Sequence, residues 1–239
     1  MTEYVLVTGA ARNIGRAIAE RCKADGYKVL LLDIIEPEDP TIGEYLHADL
    51  SNPESTAAAL AKAAQGRAVT RLVNCAGLLN IATIEDTKAA DFDRLMAVNV
   101  RSYIQVFQSV LPAMRAAKFG RVVNIASRAA LGAPLQTIYS ATKGAVVSMT
   151  RVWALEEAAN GITINAIGPG PVETAMYASA YPPGSEKRAT YLKSIPMQRA
   201  GEPAEIAHAA SHMLDARSGY MTGQVVYVCG GSSLGRSLV

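Results

Sequence analysis

Short apolar runs alternate with stretches of helical periodicity along the chain. Tyr4-Val5-Leu6-Val7-Thr8 is apolar through its middle and stops at Gly9, which predicts a strand covered on both faces. Beyond it Ile14, Ala17, Ile18 and Cys22 recur at helical spacing up to Gly26, so a helix is predicted over 14–24. KVLLLD at 28–33 repeats the strand signature and closes on an acid. Five more runs share it: EYLHAD (44–49), VTRLVN (69–74), RVVNIA (121–126), ITINAI (162–167) and QVVYVC (224–229). Helical patterns at 53–64, 88–117, 137–159 and 203–214 fit between them. Such alternation predicts a doubly wound α/β fold, a parallel sheet with helices on both faces, in one domain over 1–239. The interruption is 171–202, which holds Pro171, Pro182, Pro183, Gly184, Pro196 and Gly201 and is followed by Pro203. Too broken for core and too long for an ordinary connection, it is read as a lid within the domain.

Composition narrows the class. Of 239 residues, 50% are hydrophobic and 18% charged, which supports a large core and excludes disorder. The net charge of +2 comes with no Lys/Arg cluster, so neither nucleic acid nor an anionic membrane is expected as a partner. Cys22, Cys75 and Cys229 lie far apart and are odd in number, which argues against a disulfide framework and for a reducing cytoplasm. The opening MTEYVLVTGA lacks a basic segment ahead of its apolar run, so no export or anchoring is expected. His208 and His212 are four apart on a predicted helix, but with His47 distant there is no third ligand, and no metal is expected.

Thr8-Gly9-Ala10-Ala11-Arg12-Asn13-Ile14-Gly15 joins the first strand to the first helix. Glycines at that junction allow a tight turn and bring backbone N–H groups to a pyrophosphate, which the helix N-terminus stabilises. Asp33 ends the next strand, where a carboxylate accepts both ribose hydroxyls and repels a 2′-phosphate; a solvated strand-end charge is the plainer reading. Arg12 pulls the other way, toward a 2′-phosphate, and NAD is favoured over NADP because Asp33 lies closer. Asp49 and Leu50 either edge an adenine or belong to the helix start at Ser51-Asn52-Pro53.

Tyr139-Ser140-Ala141-Thr142-Lys143 places Tyr139 and Lys143 on one helical face, a turn apart. A free phenol is a poor base at neutral pH, and a nearby ammonium favours its ionised form, so the pair suits proton exchange with an alcohol or carbonyl oxygen. Ser127 adds a hydroxyl just beyond the fifth strand. Asn99 sits awkwardly in Val98-Asn99-Val100, either as a core amide bonded to backbone or as the holder of a relay water.

Thr8-Gly9 with Gly15, Asn74-Cys75-Ala76-Gly77, Asn99, Ser127, Tyr139 with Lys143, and Pro169-Gly170 with Thr174 together resemble the short-chain dehydrogenase/reductases, in order from first strand to last. The resemblance implies a Rossmann fold with a seven-stranded sheet ordered 3-2-1-4-5-6-7, a homotetramer, and hydride transfer to or from a nicotinamide. It implies Tyr139 as general acid/base, Lys143 on the nicotinamide ribose and depressing the tyrosine pKa, Ser127 on the substrate oxygen and Asn99 on a relay water. Cofactor contacts fall to Gly9, Arg12, Asn13, Ile14, Gly15, Asp33, Asp49, Leu50, Asn74, Ala76, Gly77, Tyr139, Lys143, Pro169, Gly170, Val172 and Thr174. The apolar tail from 232 to 239 is assigned to a subunit contact on the same basis.

Three departures accompany the match. Asn13 stands at the usual second glycine, and asparagine tolerates the left-handed turn. Cys75 replaces an asparagine and is read as a packing variant; the Ser127–Tyr139 interval is one residue short, so the loop between them is reshaped. Arg128 beside the serine is placed either to pair with a substrate carboxylate or to point into solvent. The expected function is an NAD(H)-dependent dehydrogenase of a small secondary alcohol, cyclic ones included. An NADPH-dependent 3-oxoacyl (acyl-carrier) reductase is the second reading, and a non-catalytic NAD(H)-sensing regulator the third.

Overall fold

The computed structural model describes residues 3–235, so the end of the tail assigned to a subunit contact, 236–239, lies outside the described residues. Seven parallel strands form one sheet in the order β3-β2-β1-β4-β5-β6-β7. They are β1 (Tyr4–Thr8), β2 (Lys28–Asp33), β3 (Glu44–His47), β4 (Val69–Asn74), β5 (Gly120–Ile125), β6 (Ile162–Pro169) and β7 (Val225–Val228). The helices are α1 (Asn13–Ala24), α2 (Pro53–Ala64), α3 (Ala89–Met96), α4 (Ser102–Ala117), α5 (Thr137–Glu157), α6 (Ala175–Ala180), α7 (Glu186–Lys193) and α8 (Pro203–Leu214).

Successive strand side chains point to opposite faces, and both faces are apolar. Leu6, Leu30, Leu72, Val122 and Ile164 join Leu60 of α2 and Val106, Phe107 and Met114 of α4 on one side. Val5, Val7, Leu31, Val73 and Val123 join Ile18 of α1 and Ile206, Ala210 and Met213 of α8 on the other. The continuous apolar runs in the sequence are the direct consequence of this two-sided burial.

Polar cross-links set the register at the carboxyl ends of the central strands. Thr8 Oγ1 accepts the N–H groups of Cys75 and Ala76 at 2.9 and 3.1 Å, tying the end of β1 to the turn after β4. The fully buried Asn74 donates to Asn124 Oδ1 at 2.9 Å, and Asn124 donates in turn to Thr150 Oγ1 on α5 at 3.0 Å.

Four differences from the sequence-based expectation have local causes. The single helix expected over 88–117 is divided by a π-helical turn, Ala97–Arg101, around the buried Asn99. β3 stops at His47, before the expected 49, because Asp49 Oδ1 accepts both the N–H and the hydroxyl of Ser51 in a turn leading to α2. The segment 171–202 contains α6 and α7, started by Thr174 and Ser185 whose hydroxyls accept the N–H groups of Tyr177 and Arg188. Arg128–Leu131 forms a 3₁₀ turn capped by the Ser127 hydroxyl.

Replacing Asn124 by Ala opens a cavity and strands the buried Asn74 amide, at a cost of about 3 kcal/mol. The expected fall in thermal midpoint is about 9 °C. A melting curve displaced by less than about 2 °C would show that the Asn74–Asn124–Thr150 chain does not hold the sheet.

Candidate active site

The strand order reverses direction at β1, which has β2 on one side and β4 on the other. In open α/β sheets the crevice beyond the carboxyl ends at such a point is where ligands bind. Gly9 enters it at φ +65°, and a Cβ there would lie 2.8 Å from Ala76 Cα. A Cβ on Gly15 would lie 1.9 Å from the Gly9 carbonyl oxygen, so the turn closes onto the start of α1 only with glycine at both places. Asn13 takes the left-handed conformation with φ 53°, and its Oδ1 accepts the N–H of Ala175 at 3.2 Å, which brings α6 to the loop. The first turn of α1 carries no acid, and Arg12 at its N-cap makes no side-chain capping bond. Its leading N–H groups are therefore free for an anion, and the cradle fits the pyrophosphate of a dinucleotide. Ile14 is half-buried within this first turn.

Asp33 stands beside the cradle, 9% exposed. Its Oδ2 accepts the Ala11 N–H at 2.9 Å and its Oδ1 the Ile35 N–H at 3.1 Å. Each oxygen keeps a further acceptor direction for a hydroxyl. Arg12 is exposed and makes no ion pair among the described residues.

The catalytic candidates converge across the crevice. Lys143 is 2% exposed, donates to the Ile125 carbonyl at 2.7 Å, and lies 5.8 Å from the centre of the Tyr139 ring. Burial lowers its pKa from 10.5 to about 8. Burial pushes the Tyr139 phenol upward, and the facing Ser127 hydroxyl opposes that shift. The loss of solvation by the phenolate is the largest cause of that shift. Ser127 Oγ also accepts the Ala129 N–H at 3.0 Å, which fixes its rotamer.

Asn99 Oδ1 accepts the Leu78 N–H at 2.8 Å, and Nδ2 donates to the Leu78 carbonyl at 2.9 Å and to Thr142 Oγ1 at 3.0 Å. Both amide hydrogens are thus committed, so the side chain clamps the turn after β4 to α5, and only its oxygen has capacity for a water. Gly77 fits between the two groups: a Cβ there would meet Asn99 Oδ1 and Lys143 Nζ, each at 3.5 Å.

Other expected contacts divide. Ala76 and Gly77 border the crevice, and Gly170 follows β6 with no room for a Cβ, which would meet Cys229 Cα at 2.7 Å. Pro169 ends β6, Val172 bridges to Gly201, and the Thr174 hydroxyl caps α6. The Asn74 amide nitrogen, by contrast, is bound within the sheet to Asn124, and Leu50 is packed in the core. Asp49 spends one oxygen on Ser51, in line with the helix-start reading. Burial holds the Cys75 thiol up at about 12, well away from a reactive thiolate. Sequence reasoning passed over Tyr103, whose hydroxyl donates to the Ala76 carbonyl at 3.0 Å beneath Lys143, and Thr142, which joins Asn99 to α5. Thr142 was legible between Tyr139 and Lys143; Tyr103 left no local signal.

Among the described residues, no group of three or more His, Cys, Asp or Glu side chains is placed to hold a metal, and no helix is long and apolar enough to cross a membrane.

A glycine cradle at the switch point, facing a tyrosine, a buried lysine and a serine, defines a nicotinamide-dependent oxidoreductase on a Rossmann fold. Residues 9–233 match the family model described as Enoyl-(Acyl carrier protein) reductase. The (2S)-[(R)-hydroxy(phenyl)methyl]succinyl-CoA dehydrogenase subunit BbsD of Thauera aromatica is 37% identical over 242 residues, 96% of each chain. Levodione reductase superposes with a TM-score of 0.90 at 31% identity, covering 97% of this chain and 98% of that one. A 3-oxoacyl (acyl-carrier-protein) reductase from Agrobacterium tumefaciens C58 with NADP bound gives a TM-score of 0.90 at 30% identity, covering 95% and 93%. The chain belongs to the short-chain dehydrogenase/reductase family and is an enzyme of its alcohol dehydrogenase and ketoreductase type, acting on CH–OH groups with NAD or NADP.

The buried Lys143 has a measurable consequence. Its folded-state pKa of about 8 lies below the ordinary 10.5, so between those values the unfolded chain binds more protons and stability rises with pH. At neutral pH the ammonium costs about 3 kcal/mol of desolvation. Lys143→Met is therefore expected to melt higher than the wild type at pH 7 while losing activity. The gain should shrink by pH 9.5, and parallel pH responses of the two proteins would refute this account.

Proposed function

We propose that the protein is an NAD(H)-dependent oxidoreductase interconverting a small secondary alcohol, cyclic alcohols included, and its ketone. The observation that carries this reading is the meeting of Ser127, Tyr139 and Lys143 in the crevice that also holds the glycine cradle. A bound nicotinamide supplies the hydride acceptor or donor. The Ser127 hydroxyl orients the substrate oxygen, and Tyr139 takes its proton in oxidation or returns one in reduction. Lys143 and the clamp at Asn99 connect that proton to solvent. Residues 171–202 serve as a lid over the substrate, and the protein works as a cytoplasmic homotetramer. Exposed Val152 and Leu155 on α5, at 47% and 84%, support assembly.

NAD is the proposed cofactor because the Asp33 carboxylate is pinned at the cradle by two backbone N–H groups, where ribose hydroxyls are welcome and a 2′-phosphate meets a fixed negative charge. Arg12, exposed at the cradle's edge, and the NADP carried by a structural relative favour the second reading, an NADPH-dependent 3-oxoacyl reductase. A regulator that only senses NAD(H) has no use for a general acid, which leaves that reading without support.

Titration with NADH and NADPH separates the first two. NADH should bind at least about tenfold tighter, a difference of about 1.4 kcal/mol that one unfavourable charge contact readily supplies. Asp33→Ser should erase the preference. Tighter NADPH binding by the wild type would promote the reductase reading.

Because burial holds the phenol pKa up, oxidation should accelerate from pH 6 toward pH 9 as phenolate forms, whereas reduction starts from the phenol already protonated at neutral pH. Tyr139→Phe should lower kcat at least about a hundredfold with cofactor affinity within a few-fold of normal. Near-normal turnover by that variant would remove Tyr139 from the mechanism.

A further inference from the structure

Helix α6 joins the two sides of the crevice. Its first N–H, on Ala175, is bonded to Asn13 of the glycine turn at 3.2 Å. At its far end Tyr181 comes within electrostatic range of Arg128, the residue that follows Ser127. The intervening rings form a stack: Tyr177 and Tyr181 lie 5.3 Å apart, and Tyr181 and Tyr191 lie 4.4 Å apart with 14° between their planes. Tyr177 is 8% exposed, and its hydroxyl is buried with no hydrogen-bond partner among the described residues.

The cations around this stack differ in what they already hold. Arg188 is paired with Glu173, donates to the Tyr181 carbonyl at 3.3 Å, and lies over the Tyr177 ring. Lys187 donates to the Ala180 carbonyl at 3.1 Å and lies over the Tyr181 ring. Arg128 is half-buried on a 3₁₀ turn whose start is fixed by Ser127, and among the described residues it has no ion-pair or hydrogen-bond partner. A guanidinium with no protein partner is open to an anion, and its planar fork matches a carboxylate.

We infer that the substrate is an anionic secondary alcohol, a hydroxy acid or the corresponding keto acid, whose carboxylate is held by Arg128 while its apolar remainder packs against the tyrosine stack of α6 and α7. The inference rests on the alcohol–ketone reading above and deepens it by naming the substrate class. Arg128 is a specificity-determining residue in this scheme: it fixes the carboxylate, and Ser127, next in the chain, holds the oxygen that reacts. A hydroxyl and an acid on one small skeleton thereby address adjacent residues of one rigid turn.

Direct binding tests the anion site without relying on turnover. Calorimetric titration of the protein, saturated with whichever of NADH or NADPH binds tighter, compares benzoate with benzamide, two rings of one shape that differ in charge. Benzoate should bind in the millimolar range, at least about tenfold tighter than the amide, as loss of one charge-assisted bidentate pair predicts. Arg128→Met should abolish that preference, and Arg128→Lys should restore part of it. The kinetic arm uses 3-hydroxy-3-phenylpropanoate and its methyl ester: the acid should be favoured at least about tenfold in kcat/KM. Arg128→Met should remove this advantage through KM, with kcat changed by no more than a few-fold.

Equal affinity for benzoate and benzamide, binding of neither, or an acid preference that survives in Arg128→Met overturns the proposal. Should Arg128→Met fail to fold, the wild-type pairs decide alone. Turnover of neutral alcohols with no acid preference would sink this inference and leave the oxidoreductase reading intact. A benzoate preference without turnover of any alcohol would do the reverse.

Discussion

The turn after β1 and the turn after β4 touch backbone to backbone, and the rest of the site is arranged around that contact. Thr8 receives two N–H groups from the β4 turn, while Gly9 comes so close to Ala76 that a methyl group would fall inside contact distance. One residue further on, Gly77 lies against Asn99 and Lys143. The dinucleotide cradle and the proton-handling residues are therefore two ends of one continuous piece of backbone. Glycine at position 9 is what permits the contact, because a Cβ there would force the two turns apart, whereas a Cβ on Gly77 would make only ordinary contact with Asn99 and Lys143.

Proton handling then depends on burial that works against stability. Lys143 is enclosed by the β5 carbonyl and by Tyr103, with no carboxylate paired to it among the described residues, and burial lowers its pKa to about 8. The same enclosure raises the phenol of Tyr139. Two groups with ordinary values near 10 are thus moved in opposite directions by one cause, since desolvation disfavours the charged form of each. The neutral phenol is the form ready to donate to a ketone. Oxidation needs the phenolate, which the Ser127 hydroxyl favours. Asn99 and Thr142 hold this group in place: the π-helical turn directs the amide across to Leu78 and α5 instead of leaving it inside an apolar helix face.

Much of this was legible in the sequence because burial on two faces leaves a strong trace. The five inner strands β1, β2, β4, β5 and β6 are almost wholly buried and mostly apolar, and Asn13 was readable as a left-handed residue because few side chains other than asparagine accept that conformation. What was not legible depends on contacts distant in the chain. Asn74 stood in a motif, and nothing near it in the sequence showed that its amide nitrogen bonds Asn124, fifty residues away. Asn99 could be read as a core amide or as a water holder, and only the location of Leu78 shows how its hydrogens are used. Tyr103 lies in a helix of ordinary periodicity, and nothing local marks it as the floor beneath Lys143. The helices α6 and α7 were hidden for a different reason: each is short, α7 has no buried residue, and their caps at Thr174 and Ser185 are weak signals among prolines and glycines.

Short helices of this kind are suited to the task their position gives them. α6 is only six residues long and is held at its start by its own cap and by Asn13, so its stability comes from the glycine turn and from the stacked tyrosines. Asparagine at position 13 has a double role in that arrangement, since glycine would satisfy the left-handed turn equally well but has no side-chain oxygen to receive the Ala175 N–H. The departure from the glycine usual at this position thus ties the start of α6 to the glycine turn, and it does so without disturbing the backbone path that the cradle requires.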